Sequence, residues 1–168
     1  MSESDGSSSK SRAPRRPEPS AYQRALGLLV RREHSRRELK RKLGARGISQ
    51  EETETALSVL AKQDFQNDQR FAEALVRSRA LAGYGPLRIR AELSSHGIDR
   101  GSIETALGSV DHDWLGSARA LARRRFSSCH DDPAQRRKAV DFLMRRGFDQ
   151  GMARSAIGWA VAGDDSDD

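Results

Sequence analysis

Between Ala21 and Val161 the apolar residues recur every three to four positions, and no stretch alternates as a half-buried strand would. The pattern predicts a succession of amphipathic helices, and it repeats. Leu43, Gly47, Ile48, Ala56 and Leu57 return fifty residues later as Leu93, Gly97, Ile98, Ala106 and Leu107. Fifty residues on again come Leu143, Gly147, Phe148, Ala156 and Ile157. A second block recurs upstream with a period of 46, as LVRR (29–32), LVRS (75–78) and LARR (121–124). From its leading Leu to the matched Gly the spacing is 18, then 22, then 26 residues. That increment is close to one helical turn, so the first helix or its following loop is expected to lengthen by about a turn per copy.

Each copy reads as three helices. The first spans about 21–34, 69–82 and 114–127, the second 36–46, 86–96 and 133–146, and the third 50–62, 100–110 and 150–161. Ser35 with Glu38 has the spacing of a capping box. Pro86 and Pro133 fall at first helical positions, where a missing N–H costs nothing. Gly47, Gly97 and Gly147 are expected just beyond helix ends with positive φ, and Ser49, Asp99 and Asp149 as the N-caps that follow. Leu26, Leu29, Leu39, Leu43, Ile48, Leu57 and Leu60 are the candidate core of copy one. Phe71, Leu75, Ile89, Leu93, Ile98, Ile103 and Leu107 serve copy two, and Trp114, Leu121, Val140, Leu143, Phe148, Ile157 and Trp159 copy three. The expected fold is all-α: three tandem three-helix repeats in an elongated, curved array, at 21–64, 65–111 and 112–162. Residues 1–20, rich in Ser, Pro and charge, read as a disordered tail, and 163–168 as a short acidic one.

Composition changes this picture in two ways. With 36% apolar and 32% charged residues and a mean hydropathy of −0.76, the 168-residue chain is thinly hydrophobic. Several small cores suit it better than one thick core. The net charge of +6 is also unevenly spread: the N-terminal tail carries +1 and the final GDDSDD −4, which leaves +9 on residues 21–163. A body this basic favours a polyanion or an acidic protein surface. Of the 30 basic residues 25 are Arg, a bias that a GC-rich genome explains without explaining the excess of positive charge. No run approaches the ~18 apolar residues of a membrane span, residues 1–20 lack a signal-peptide core, and Cys129 is the single cysteine. The expectation is a cytoplasmic protein without a disulfide.

Little in the chain reads as reaction chemistry. AGYGP (82–86) lacks the Lys and Ser/Thr of a phosphate loop and reads as a helix-ending glycine and a turn, although Tyr84 between two glycines and several arginines is also a candidate contact. Cys129, His130, Asp131 and Asp132 are adjacent, and neighbouring ligands cannot all point at one ion, so Asp132 reads as the cap before Pro133. His34, His96 and His112 stand apart near helix ends and read as solvated or capping residues. No catalytic residue, cofactor or metal is expected. What remains is basic residues at the end of the first helix and the start of the second, in every copy: Arg31, Arg32, Arg36, Arg37 and Lys40, with Arg41 and Lys42; Arg77, Arg79, Arg88 and Arg90; and Arg123, Arg124, Arg125, Arg136, Arg137 and Lys138, with Arg119. Recurrence at one place in three copies is not required of a merely solvating charge, and Arg presents a planar fork that suits phosphate and carboxylate alike.

RREHSRRELKRKL (31–43), DFQNDQRFAEALVRSRALAGYGPLRIRAEL (64–93) and FLMRRGF (142–148) resemble the RecX family of bacterial recombinase regulators, over about residues 21–161. The resemblance implies three tandem three-helix repeats and a partner: the recombinase RecA, in particular its filament on single-stranded DNA. Members of that family lie in the filament groove, hinder its growth and depress its ATP hydrolysis, strand exchange and co-protease activity, and many bind DNA weakly. The family has no catalytic residues to carry over. Arg77, Arg79, Tyr84, Gly85, Arg88 and Arg90 fall within its signature and are the first candidates for contacts, with the basic sets of the outer repeats beside them. A monomer without cofactor or membrane contact is expected. The alternative is a non-specific DNA-binding protein with a helix-turn-helix-like unit in each copy, and a scaffold for another acidic protein also fits the charge.

Overall fold

The computed structural model describes residues 18–126 and 132–158. Among them are nine α-helices and no strand. The first repeat holds α1 (Ala21–Leu29), α2 (Arg36–Gly44) and α3 (Gln50–Lys62). The second holds α4 (Asp68–Leu81), α5 (Pro86–Ser95) and α6 (Arg100–Ser109). The third holds α7 (Trp114–Arg125), α8 (Pro133–Arg146) and α9 (Gln150–Ala156).

Local chemistry sets these boundaries. Ser49, Asp99 and Asp149 each accept a hydrogen bond from the backbone N–H three residues on, and Asp132 accepts from Ala134. Gly47, Gly97 and Gly147 take φ of 77°, 80° and 94°, the left-handed turn that ends a helix. The box expected at Ser35 is half formed. Ser35 Oγ accepts the Glu38 N–H, but the Glu38 carboxylate turns to Arg32 instead of back to the cap. Reciprocal boxes close instead at Ser20 with Gln23 and at Ser49 with Glu52.

In every repeat the first and third helices pack together and the second closes them: α1 on α3, α4 on α6, α7 on α9. Each unit has its own core. Ala25, Leu39, Leu43, Leu57 and Leu60 fill the first. Phe71, Val76, Ile89, Leu93, Ile98, Ile103 and Leu107 line the second. Ala118, Val140, Leu143, Phe148 and Ile157 line the third. Trp114 packs against both the second and the third core, so it belongs to the joint and not to one copy alone.

Three expectations need correction. The first helix stops at Leu29 and not near 34, because residues 31–34 form the turn that brings Arg32 and His34 onto Glu38. The last helix stops at Ala156, with Gly158 at φ 74° just beyond; Trp159, the acidic end, most of the N-terminal tail and residues 127–131 lie outside the described residues. Of the two places expected for the extra turn of the third copy, the first helix is excluded, since α7 has 12 residues against 14 in α4; seven positions separate α7 from α8 where four separate α4 from α5, and α8 itself has 14 residues against 10 in α5.

The two joints between repeats differ in kind. The first repeat meets the second through polar side chains. Arg70 Nε donates to Glu33 (2.9 Å), the Arg36 N–H donates to Asp68 (2.8 Å), and Ser35 Oγ lies 3.0 Å from His96 Nδ1. The second meets the third through backbone. The Gly85 N–H donates to the Arg146 carbonyl and the Leu87 N–H to the Gly147 carbonyl, both at 2.9 Å. This approach is so close that a Cβ at Gly85 would fall 2.5 Å from the Phe148 nitrogen, and one at Gly147 2.6 Å from the Arg88 nitrogen.

Candidate functional site

The structure sorts the basic residues by what already holds them. In the second repeat Arg79 forks onto Glu92 (2.8 and 2.6 Å) and Arg90 onto Glu104 (2.8 and 3.0 Å). Arg77 reaches back to Glu73 at 3.9 Å. These forks keep the Glu92 and Glu104 carboxyls below the usual carboxylate range, chiefly through the hydrogen bonds from Arg79 and Arg90. In the first repeat Arg36 and Lys40 share Glu54, and Arg32 forks onto Glu38. Arg31 and Arg37 have no ion pair among the described residues. In the third, Arg123, Arg124, Arg137 and Lys138 are exposed and likewise without one, and Arg136 Nε is buried without a hydrogen-bond partner.

A subset converges on one continuous path. A cleft of about 550 Å³ between the first two repeats is lined by Arg32, Arg79, Glu92 and His96 over an apolar floor of Phe71, Ala74 and Leu75. Arg79 and Glu92 also line the next groove, with Tyr84 and Arg88. From there guanidinium groups and rings alternate. Arg88 lies over Tyr84 (4.5 Å) and Arg146 over the same ring (5.2 Å). Arg146 also lies over Phe142 (5.4 Å), as does Arg125 (5.2 Å). The run crosses the joint between the second and third repeats. The ladder holds three cations against two rings, and a guanidinium that stacks by its face keeps its N–H edge available to a carboxylate or phosphate.

Two candidates stand differently from expectation. Tyr84 is half-buried against the core of the second repeat and not exposed, because Arg88 and Arg146 occupy its ring. Gly85 is buried in the backbone joint with residues 146–148. Arg77 and Arg90 leave the path: Arg77 pairs within α4, and Arg90 lines a separate groove with Leu87, Arg100 and Glu104. Arg146 and Phe142 were not anticipated. Their signal was the RRGF turn, which reads as a helix ending and gives no hint that Arg146 reaches a ring 62 positions upstream.

His34 is also unlike its sequence reading, being 2% exposed. Its Nδ1 lies 2.9 Å from the Arg32 carbonyl, which can only accept, so Nδ1 carries the proton. Nε2 then offers its lone pair to Lys42 Nζ at 3.2 Å. Burial, first of all, lowers the His34 pKa and keeps the ring neutral. Burial pushes the Glu38 pKa up, but hydrogen bonds from Arg32 and Lys42 outweigh it and hold that carboxyl below its ordinary value. Both shifts act in the same direction. The unfolded chain takes up protons that the folded chain refuses, so stability falls as pH drops through the ordinary His range near 6.5 and again near 4.5. Thermal melts between pH 8 and 4 will show this decline, and His34→Gln will flatten its upper part.

Among the described residues no group of three or more His, Cys, Asp or Glu side chains is placed to hold a metal ion. No helix among them is long and apolar enough to cross a membrane.

Comparison with known proteins bears on all three repeats. Family models described as the first, second and third three-helix domains of RecX match residues 21–60, 67–107 and 111–157. A regulatory protein RecX of Stenotrophomonas maltophilia (strain R551-3) is 56% identical over 144 residues, covering 84% of this chain and 88% of that protein. Another, of Xanthomonas campestris pv. campestris (strain B100), is 53% identical over 142 residues, covering 83% and 86%. The crystal structure of RecX from Lactobacillus salivarius superposes with a TM-score of 0.69 at 28% identity, over 82% of this chain and 92% of that one. A second crystal structure of a regulatory protein RecX gives 0.72 at 25% identity, over 82% and 71%.

Proposed function

The chain belongs to the RecX family of regulatory proteins, and from that premise we propose that it binds RecA, above all the RecA filament on single-stranded DNA, and restrains it. The observation that carries the reading is that all three repeats match the family, including the segment 67–107 that holds Arg79, Tyr84 and Arg88. A row of small units joined end to end lays several modest contacts along a filament whose subunits also repeat. Together they act through effective concentration, so no single one need be strong. The path from Arg32 to Arg125 supplies donors for acidic groups of the recombinase, which speeds encounter and makes binding salt-sensitive. Occupying the groove and holding subunits in one arrangement then lowers ATP hydrolysis, strand exchange and co-protease activity. The protein acts in this reading as a cytoplasmic monomer and a regulator, not an enzyme.

The test is a titration of RecA's DNA-dependent ATP hydrolysis with this chain. Inhibition well below one chain per recombinase monomer is the mark of blocked filament growth, and inhibition only near parity is the mark of coating. No effect at any ratio removes the proposal. The unpaired cations of the third repeat favour non-specific DNA binding as the second reading. Binding through six to ten phosphate contacts falls by orders of magnitude between low and moderate salt, whereas a mixed protein interface falls less.

A further inference from the structure

The joint between the first and second repeats has two faces of opposite character. On one, the cleft over Phe71 and Leu75, each guanidinium has a carboxylate: Arg32 has Glu38, and Arg79 has Glu92. The other is a groove of about 560 Å³ between α2 and α5, lined by Arg37, Lys40, Arg41, Ser95, His96 and Glu38. Its one carboxylate is spoken for, since Glu38 is 7% exposed and held by Arg32 and Lys42. Arg37 and Arg41 have no ion pair among the described residues. Lys40 shares Glu54 with Arg36, so it can turn away without leaving that carboxylate unpaired.

This placement works against the helix that carries it. Arg37 is the second residue of α2, at the end where the helix dipole is positive and a cation is disfavoured. Arg37, Lys40 and Arg41 stand three and four positions apart, so three like charges share one face, which lowers helix stability further. Arg41 lies in the last turn of α2, where the dipole welcomes it, as do Arg79 in α4, Arg123, Arg124 and Arg125 in α7, and Arg145 and Arg146 in α8, so the unfavourable end falls to Arg37. Arg37 and Arg41 thus face the groove side by side with no carboxylate among the described residues to pair with them. On the far wall stands His96, whose Nδ1 faces the Ser35 hydroxyl. With that hydroxyl donating, the neutral ring carries its proton on Nε2 and adds a donor. The C-terminal end of α5 opposes an anion there, but by a partial charge against the two full charges of Arg37 and Arg41.

We propose that the α2–α5 groove is a phosphate site spanning two repeats, and that a single-stranded nucleic-acid backbone lying in it clamps the first repeat onto the second. The site adds to the recombinase reading and does not depend on it. Fork donors suit successive phosphates, and contacts on both walls resist opening of a joint that otherwise rests on a few polar side chains, the Arg36 N–H to Asp68 among them.

The test compares the full wild-type chain with Arg37→Gln/Arg41→Gln, using a short fluorescent single-stranded oligonucleotide and no recombinase. Expected are a roughly tenfold weaker affinity at moderate salt and a salt slope smaller by about 1.4, the share of two phosphates on a single strand. The variant without DNA is expected to melt close to wild type, since the repulsion it loses and the unfavourable end of Arg37 offset the favourable end of Arg41; a clearly lower melt would mean that these arginines serve the fold, and would overturn the site. Hydrogen exchange of the Arg36 amide is expected to slow when the oligonucleotide binds wild type and not when it binds the variant. An unchanged affinity and slope would overturn the proposal, as would displacement of the oligonucleotide by an equal concentration of inorganic phosphate, which would make the groove a site for the free ion. ATP-hydrolysis inhibition by the same variant reports on the recombinase reading separately.

Discussion

Gly147→Ala is expected to part the third repeat from the second. The residue sits at φ 94°, where a side chain costs about 1–2 kcal/mol, and its new Cβ would lie 2.6 Å from the Arg88 nitrogen and 3.0 Å from the Arg88 Cα. Backbone atoms cannot swing aside as the end of a side chain can, so overpacking adds about 1–3 kcal/mol. The chain escapes by opening the joint, which breaks the Leu87 N–H to Gly147 bond and draws Arg146 off Tyr84. Fast exchange of the Leu87 amide, with the α4–α6 amides still protected, is the expected record. Gly97→Ala is the matched control: its φ is 80°, but the neighbour is the Arg37 side chain at 3.5 Å, so it should show the backbone cost alone. Equal destabilisation by both would mean that the contact with Arg88 is not what matters.

Arg79 separates fold from contact. Reversing it to Glu sets two carboxylates face to face where a fork now holds Glu92 at 2.6 Å. Because the pair is partly exposed, screening limits the loss to about 1–2 kcal/mol. A lost activity in that variant would be ambiguous. The neutral pair Arg79→Gln/Glu92→Gln removes both charges, leaves the net charge unchanged and shortens one partly exposed side chain, so its melting point should stay near wild type. If Arg79 touches the partner, the loss of one charge-assisted hydrogen bond, about 1.5–3 kcal/mol, should weaken filament inhibition by tenfold or more. Full inhibition by the neutral pair would confine Arg79 to holding α4 against α5.

What could be read from the sequence was local. Ser49, Asp99 and Asp149 act within three residues of themselves, and a fifty-residue period marks them, so caps and turns were legible with the fold class. The partners of the arginines were not. Arg79 finds Glu92 thirteen positions on and Arg90 finds Glu104 fourteen positions on, each across a turn between helices, with no periodic cue. Clusters that read as available cation are thus neutralised at Arg77, Arg79 and Arg90 in the second repeat and at Arg32, Arg36 and Lys40 in the first, while among the described residues Arg31, Arg37, Arg123, Arg124, Arg137 and Lys138 keep no ion pair. The burial of His34 was hidden for a related reason: the polar stretch RREHSRR gives no apolar face, and the Arg32 carbonyl, Glu38 and Lys42 meet the ring only once the chain has turned back on itself. The Arg–ring ladder needed the third repeat to be seated on the second before Arg146 could meet Tyr84.

Among the described residues the three cores share only the Trp114 ring, between the second and third, and every extensive helix pairing stays inside one copy. A change of length in one copy therefore leaves its neighbours' cores intact, provided the joint residues such as Gly85 and Gly147 stay in register. Helix α1 has nine residues where α4 has fourteen, and α2 has nine where α8 has fourteen, yet each trio closes in the same order. Such a chain can be retuned one vertebra at a time, its reach along a target adjusted by whole turns while the remaining links keep their shape.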